Sequence, residues 1–341
     1  MQDDIYMYRC LQLARLGEYY VAPNPMVGAV LVCRHEQQEY IVGEGWHRQY
    51  GGPHAEVNCF QDAEQHQDGT WSMADCTLYV SLEPCSHWGK TPPCADLIIR
   101  EGVRRVVVGC PDPNPKVSGQ GIERLRKAGI EVTVGVLQEQ CHQLNKRFMC
   151  LQEQHRPYIT LKWAETADGY IDRQRTGGKP VVISTPVTKQ LVHQQRAENM
   201  AIMVGTRTAL LDNPSLRTTR WSGRNPIRIV LDRHHILPTD SRLFSADAET
   251  IVYEDTDWMH ILADLAQRNI HSLLVEGGAT LLNYIIATGV YDEVHIEVSD
   301  ARLDISTDET GVKAPIYTPR TCPQIVDGHR IYTESNILKT T

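Results

Sequence analysis

Two α/β domains are predicted by this sequence, on three observations. The chain has 341 residues, more than one hydrophobic core comfortably supports. Short runs rich in Val, Ile and Leu alternate with segments of helical periodicity, which points to βαβ units and a parallel component in the sheet. His155-Arg156-Pro157 interrupts that alternation and separates a domain over residues 1–152 from one over 153–341.

In the first domain, Ile5, Met7, Tyr8, Leu11, Leu13, Ala14 and Leu16 fall at helical spacing between Asp3 and Gly17. Asn24-Pro25-Met26-Val27-Gly28 leads into a buried strand over 29–33, and a second strand over 40–45 ends in Gly45-Trp46-His47. Asn24 is there either as turn chemistry or to hydrogen-bond a polar ring. Gly51-Gly52-Pro53 delivers the chain to His54 and Glu56, which open a helix whose positive N-terminal end favours a carboxylate. A strand over 77–82 exits through Glu83-Pro84-Cys85, and Pro93-Cys94 starts the next helix. Strands over 105–109 and 130–135, with a helix over 119–128 between them, continue the alternation, and a helix over 138–151 closes the domain.

His54, Cys85 and Cys94 are three soft ligands, one short of the four that close a structural zinc site, so an open fourth position is expected. Glu56 lies two residues after a ligand, near enough to reach a water at that position while staying off the metal. H-x-E followed by Pro-Cys and a second cysteine is the zinc-deaminase pattern, here with eight residues between the cysteines instead of two. The competing reading is a structural site completed by Cys59 or Cys76. Such sites usually supply cysteines in close pairs, which this chain lacks. Between Cys85 and Cys94, His87 and Lys90 sit either beside the metal mouth, meeting a heteroaromatic ring and an anionic group, or in a solvated loop.

The second domain opens with a strand over 157–164 that carries Lys162 near its end, followed by strands over 201–205 and 227–232 and helices over 186–198 and 258–268. Ser272 to Leu282 reads as strand, Gly-Gly turn and helix. Such a turn either permits close packing or lets a phosphate approach main-chain N–H groups. Asp212-Asn213-Pro214 is a polar turn, and with Lys162 and Glu276 it could line a cleft at the strand ends. No G-x-G-x-x-G follows a strand, so a Rossmann dinucleotide domain is not expected.

Composition narrows the function classes. Hydrophobic residues make up 41% and charged residues 22%, an ordinary soluble globular balance. A net charge of −8 argues against a general nucleic-acid binder, and no apolar run is long enough to span a membrane. Ten cysteines are far too few for a disulfide scaffold, and Met1-Gln2-Asp3-Asp4 has no leader character, so a cytoplasmic protein with reduced thiols is expected.

Asn24-Pro25-Met26-Val27-Gly28, Gly45-Trp46-His47, Gly52-Pro53-His54-Ala55-Glu56 and the stretch Glu83 to Cys94 together resemble the pyrimidine deaminase domain of the bifunctional riboflavin-biosynthesis deaminase-reductases. Arg156 to Gly169, Gly205 to Leu216 and Val275 to Leu282 resemble that family's reductase. The resemblance implies a cytidine-deaminase-like three-layer α/β/α domain followed by a dihydrofolate-reductase-like α/β domain. It implies zinc-dependent hydrolytic deamination of a diaminopyrimidinone ribosyl phosphate, then NADPH-dependent reduction of its ribose to a ribityl chain. Glu56, Lys162, Asp212 and Glu276 would be catalytic, with Asn24, His47, His87, Lys90, Arg196, Leu216 and Arg220 binding substrate. Arg196 matches the family's phosphate-binding arginine. Ala164, Thr208, Asp212, Gly278, Ala279, Thr280, Leu281, Leu282, Asn283 and Tyr284 would contact NADPH. A homo-oligomer is also implied.

The chain departs from the family pattern in its second half. Gly178-Lys179-Pro180-Val181-Val182-Ile183 replaces a stretch that usually supplies serine and tryptophan contacts, the Arg-Trp pair at Arg220-Trp221 is displaced by one residue, and the strand end after Val294 is altered. Two alternatives follow: a deaminase of this family with an impaired reductase domain, or a nucleic-acid base deaminase with an accessory domain. The second would ordinarily show C-x-x-C and a basic surface.

Overall fold

A strand that is apolar on consecutive residues is covered on both faces. In the computed structural model, which describes residues 2–35, 38–88, 92–114, 118–175, 177–303 and 310–336, β1 spans Gly28–His35 and shows this directly. Its Ala29, Leu31 and Cys33 enter one buried cluster, and Val30 and Val32 enter another. The chain divides into two units, Met1–Gln154 and His155–Thr341.

Around β1 the first unit arranges α1 (Gln2–Arg15), β2 (Gln38–Trp46), α2 (Ala55–Gln65), β3 (Cys76–Leu82), α3 (Cys94–Glu101), β4 (Arg105–Cys110), α4 (Gln120–Lys127), β5 (Glu131–Val134), α5 (Gln138–Leu144) and α6 (Lys146–Gln154). The sheet order is β2-β1-β3-β4-β5, antiparallel across β2-β1-β3 and parallel across β3-β4-β5. Helices α2, α3 and α4 pack Phe60, Ile98 and Leu125 on one face, while α1 and α5 pack Leu11 and Cys141 on the other. The unit is therefore a three-layer α/β/α sandwich.

Close approach of α2 to β2 depends on two glycines. A Cβ at Gly45 would lie 2.3 Å from the Cys59 nitrogen and 2.4 Å from the Ala55 oxygen, and one at Gly43 would lie 2.5 Å from the Cys59 oxygen. Gly45→Ala is expected to cost about 1–3 kcal/mol through overpacking, read by chemical denaturation, because backbone on both sides must move.

The helix expected over 138–151 is two helices. Asn145 ends α5, and its side-chain amide closes on Met26: Oδ1 accepts from the Met26 nitrogen at 2.8 Å and Nδ2 donates to the Met26 oxygen at 2.9 Å. This pairing across the fold outcompetes one more turn of helix, and periodicity carries no trace of it.

In the second unit the order is β6 (Tyr158–Glu165), β7 (Tyr170–Arg173), α7 (Pro186–Glu198), β8 (Ala201–Val204), α8 (Thr206–Asp212), β9 (Ile227–Leu231), β10 (Thr250–Tyr253), α9 (Trp258–Gln267), β11 (Ser272–Val275), α10 (Ala279–Thr288), β12 (Glu293–Val298), β13 (Gly311–Lys313), β14 (Gln324–Val326) and β15 (His329–Ser335). The main sheet runs β10-β9-β8-β11-β6-β12-β15-β14, parallel as far as β12 and antiparallel thereafter. β7 pairs with β13 in a separate ribbon. Parallel strands present their C-terminal ends at one edge, which brings Lys162, Gly205, Leu231 and Glu276 toward one another. β7, β10 and β13 to β15 lie outside the runs the sequence marked as strands. Most are only three or four residues long, and β15 is mostly polar, with Ile331 its one aliphatic residue. Among the described residues no helix is long and apolar enough to cross a membrane.

Candidate active sites

The first site forms where β2, β3 and two helix starts meet. His54 is the residue before α2 and Cys94 the first residue of α3, so two short helix-entry turns carry ligands toward Cys85 at the exit of β3. His54 Nδ1 lies 3.6 Å from Cys85 Sγ and 3.3 Å from Cys94 Sγ, and all three donor atoms fall within 4.8 Å of one another. One imidazole nitrogen and two sulfurs at this spacing fit zinc. Cys59 and Cys76 do not complete the set: their thiols turn to the carbonyls of Gly43 and Ser72. Among the described residues the group stays at three, leaving a tetrahedral ion one open position.

Charge in this cluster is shared. The Cys94 thiol, then His54, holds Cys85 down to about 4, while Cys94 itself is pushed up by Cys85 and by burial. A cation displaces such a shared proton and takes both sulfurs as thiolates. Glu56 is only 3% exposed, and burial raises its carboxyl above the ordinary range against the pull of His54. A carboxyl in that condition can hold or release a proton.

His47 and Asn24 complete one wall. His47 Nδ1 donates to the Pro53 oxygen at 2.9 Å, which leaves Nε2 to accept from Asn24 Nδ2 at 3.1 Å. Burial holds His47 below its usual value, so it is neutral. Its ring meets that of His54 edge-on, 5.5 Å between centroids. Asn58, which no sequence motif marks, donates to the oxygens of Trp46 at 2.7 Å and Pro53 at 3.4 Å, joining the β2 exit to the His54 turn. His87 is exposed; the buried Asp112 has its carboxyl raised to about 6 chiefly by burial. Lys90 lies outside the described residues.

The second site is a cavity of about 960 Å³ at the C-terminal edge of the parallel strands. Lys162, Ala164, Thr208, Asp212, Glu276, Gly278, Ala279, Thr280, Leu281, Leu282 and Tyr284 all line it. Gly277 takes a φ of +116°, and a Cβ on Gly278 would meet Thr208 Oγ1 at 3.1 Å. The Gly-Gly turn thus packs closely on Thr208 while lining the cavity, whose volume is ample for a dinucleotide of NADPH size. Burial pushes the Lys162 ammonium down, against the pull of Glu276 and then Glu297. Glu276 would be raised by burial, yet Arg196 and then Lys162 hold it below the usual range. Arg196 grips it through two bonds, Nε at 2.8 Å and Nη2 at 2.6 Å.

Four residues expected at this site are placed otherwise. Asn283 is off the cavity wall, and its Oδ1 accepts from the Ile316 nitrogen at 2.8 Å. Leu216, 3% exposed, belongs to the buried cluster of Val204, Val230 and Leu274 under the sheet. Arg220 is exposed on a turn and also off the wall, while Arg196 is committed to Glu276 and the Arg217 carbonyl.

Three arginines on the wall were not legible in the sequence. Arg175 pairs with Asp212 and with Asp172 and donates to the Gly178 carbonyl, so the divergent stretch 178–183 is tied to the cavity. Asp172 also accepts from the Val181 nitrogen at 3.1 Å. Arg207 and Arg233, next in the chain to Thr206 and two residues after Leu231, line the same cavity.

Residues 1–110 match the cytidine and deoxycytidylate deaminase zinc-binding region, and residues 157–299 match the RibD C-terminal domain. The riboflavin biosynthesis protein RibD of Aquifex aeolicus is 37% identical over 321 residues, spanning 87% of this chain and 86% of that one. The protein of the same name from Escherichia coli is 36% identical over 344 residues, 89% and 90% of the two chains. Among solved structures, a diaminohydroxyphosphoribosylaminopyrimidine deaminase/5-amino-6-(5-phosphoribosylamino)uracil reductase from Thermotoga maritima aligns with a TM-score of 0.84 at 34% identity, over 97% of each chain. Acinetobacter baumannii RibD aligns with a TM-score of 0.85 at 31% identity, over 97% of this chain and 98% of that one.

Proposed function

The chain belongs to the family of the riboflavin biosynthesis protein RibD, bifunctional enzymes that join a zinc-binding deaminase domain to an NADPH-using reductase domain, and on that premise we propose how its own residues divide the two reactions. The substrate is a diaminohydroxyphosphoribosylaminopyrimidine, as the name of the Thermotoga maritima relative describes. The observation that carries the reading is the convergence of His54, Cys85 and Cys94 with the buried Glu56 beside them.

Zinc at these three donors supplies Lewis acidity, bringing the pKa of water from about 15.7 to about 7. Glu56 takes up the proton released from water and returns it to the departing amino group, so that ammonia leaves and the ring carbon gains oxygen. His47, neutral and anchored to Pro53, fixes the Asn24 amide and leaves its oxygen to accept from the pyrimidine. By resemblance to the family, we assign His87 to the pyrimidine ring and Lys90 to an anionic group of the substrate.

In the second domain NADPH held in this cavity would supply hydride for the ribose anomeric carbon, and the ring oxygen must gain a proton as the sugar opens. Lys162, whose burial eases proton release, is the group we assign to that proton. Glu276 keeps Lys162 charged between turnovers, Arg196 holds Glu276 in place, and Asp212, oriented by Arg175, faces the same cavity. Arg207 and Arg233 present two cations on the wall of that cavity, suited to the extra 2′-phosphate of NADPH. Replacing both with alanine is expected to weaken NADPH about tenfold or more, with little change for NADH, read by quenching of intrinsic fluorescence. Equal losses for both nucleotides would remove that assignment.

The ten cysteines, none in a disulfide bond among the described residues, support a reducing compartment and hence the cytoplasm. The family supports a homo-oligomer of this chain, which sedimentation equilibrium would read, with small molecules and not nucleic acid as its partners.

A coupled assay on the purified chain tests the whole reading, following ammonia release from the pyrimidine substrate and then loss of NADPH absorbance. Ammonia followed by NADPH consumption is expected. Ammonia alone would overturn the reductase half and make the departures near Pro180 and Arg220 disabling; no ammonia would overturn the deaminase half.

A further inference from the structure

Cys85 is held from outside the ligand set, by a helix that carries none of the ligands. Glu83, two residues before it and 3% exposed, accepts four main-chain N–H groups: Asp112 at 3.2 Å and Gly119 at 3.0 Å on one oxygen, Gly121 at 3.0 Å and Ile122 at 3.3 Å on the other. The last three belong to the entry of α4. Pro84, one residue before Cys85, lies so close to α4 that a Cβ on Gly121 would be 2.1 Å from the Pro84 oxygen. Ser86, one residue after, accepts from Arg124 Nη1 at 3.3 Å. Arg124 Nε in turn pairs at 2.6 Å with Asp96, on the first turn of the helix that begins with Cys94.

We propose that α4 is a clamp that sets the two sulfurs at zinc-binding separation, with Glu83 as its principal positioning residue. Glu83, Pro84 and Ser86 bracket Cys85 on both sides, so the thiolate cannot shift without breaking a contact to α4. Arg124 extends the same constraint to Cys94. A buried carboxylate bound only by fixed amides makes this hold directional, because a neutral side chain cannot accept all four bonds. Positioning groups of this kind commonly govern metal affinity about 10–100-fold. This inference rests on the zinc reading of the site.

The test compares Glu83→Gln with the unaltered full-length chain. Two quantities are followed: zinc release to a chromophoric chelator, and the visible spectrum of the cobalt(II)-substituted protein, which reports sulfur number and angle independently of turnover. Glu83→Gln is expected to release zinc about 10–100-fold faster and to shift the cobalt bands. Arg124→Gln, at the surface, is expected to act in the same direction with smaller size and serves if Glu83→Gln does not fold. Ile98→Val, a core change on α3, controls for general destabilisation and is expected to leave spectrum and release rate alone. If the folded variants lower only the melting temperature and match the unaltered chain in both metal readouts, the clamp is overturned. If the unaltered chain takes up no cobalt, it is the zinc reading that fails.

Discussion

Glu56→Gln is expected to lower ammonia release by about 10²–10⁴-fold while zinc content stays unchanged. The amide matches the carboxyl in size and can occupy the same buried position after His54, but it cannot take up or return a proton. Glu56 is not among the three grouped donors, so its replacement leaves the metal's ligands in place. NADPH oxidation should persist when the deaminated intermediate is supplied directly. Parallel metal analysis and ammonia assay check the result: loss of zinc together with activity would make Glu56 a ligand or a support, and retained activity would remove it from the chemistry.

Arg196→Ala is expected to destabilise the second domain by about 3–5 kcal/mol, because it strands the Glu276 carboxylate in a buried site. The side chains of the pair are only 16% and 11% exposed, so water does little to replace the lost partner. Urea unfolding followed by a probe in that domain measures the cost. Arg196→Lys should recover only part of it, since one ammonium cannot reproduce the two-pronged grip. Adding Glu276→Gln to Arg196→Ala should recover more, because the stranded charge is then gone. A cost below about 1 kcal/mol, typical of exposed pairs, would show that the carboxylate finds another partner.

The same pair has a pH signature. Glu276 is held below its unfolded value, so the stability it contributes is fully present above the unfolded carboxylate range, near about 4.3, and is lost as pH falls through the lower folded value. The unaltered chain should therefore lose this contribution only in acid below about pH 4. In Glu276→Gln that component of the acid transition should be missing from denaturation curves taken across pH 2–6, and an unchanged acid slope would place the titration elsewhere.

The zinc ligands were legible because each lies in a short motif whose local geometry is nearly self-contained: a residue entering a helix, a strand exit, and a proline-led helix start. Helix α7, expected over 186–198, has those bounds because Thr185 caps it and Pro186 opens it, both local signals. Asn145 behaved otherwise, since its bonds to Met26 form only after the sheet brings distant segments together. Glu297 is a further example: it accepts from Ser184 and Thr188, each at 2.6 Å, and from His329 at 2.7 Å, an arrangement assembled from three separated stretches of chain.

By itself, then, the sequence marked the metal group of His54, Cys85 and Cys94, the place of Glu56 two residues after a ligand, and the alternation that makes both domains α/β. These depend on residue type and on neighbours a few positions away, where backbone preferences and spacing act directly. Tertiary structure alone decided that Arg196 serves Glu276, that Leu216 is core, that Arg175 ties Asp212 to the divergent loop, and that α4 braces Cys85. Each of those is a pairing between segments distant along the chain, and the choice among possible partners is made by burial, where a polar group left unpaired costs too much to be tolerated.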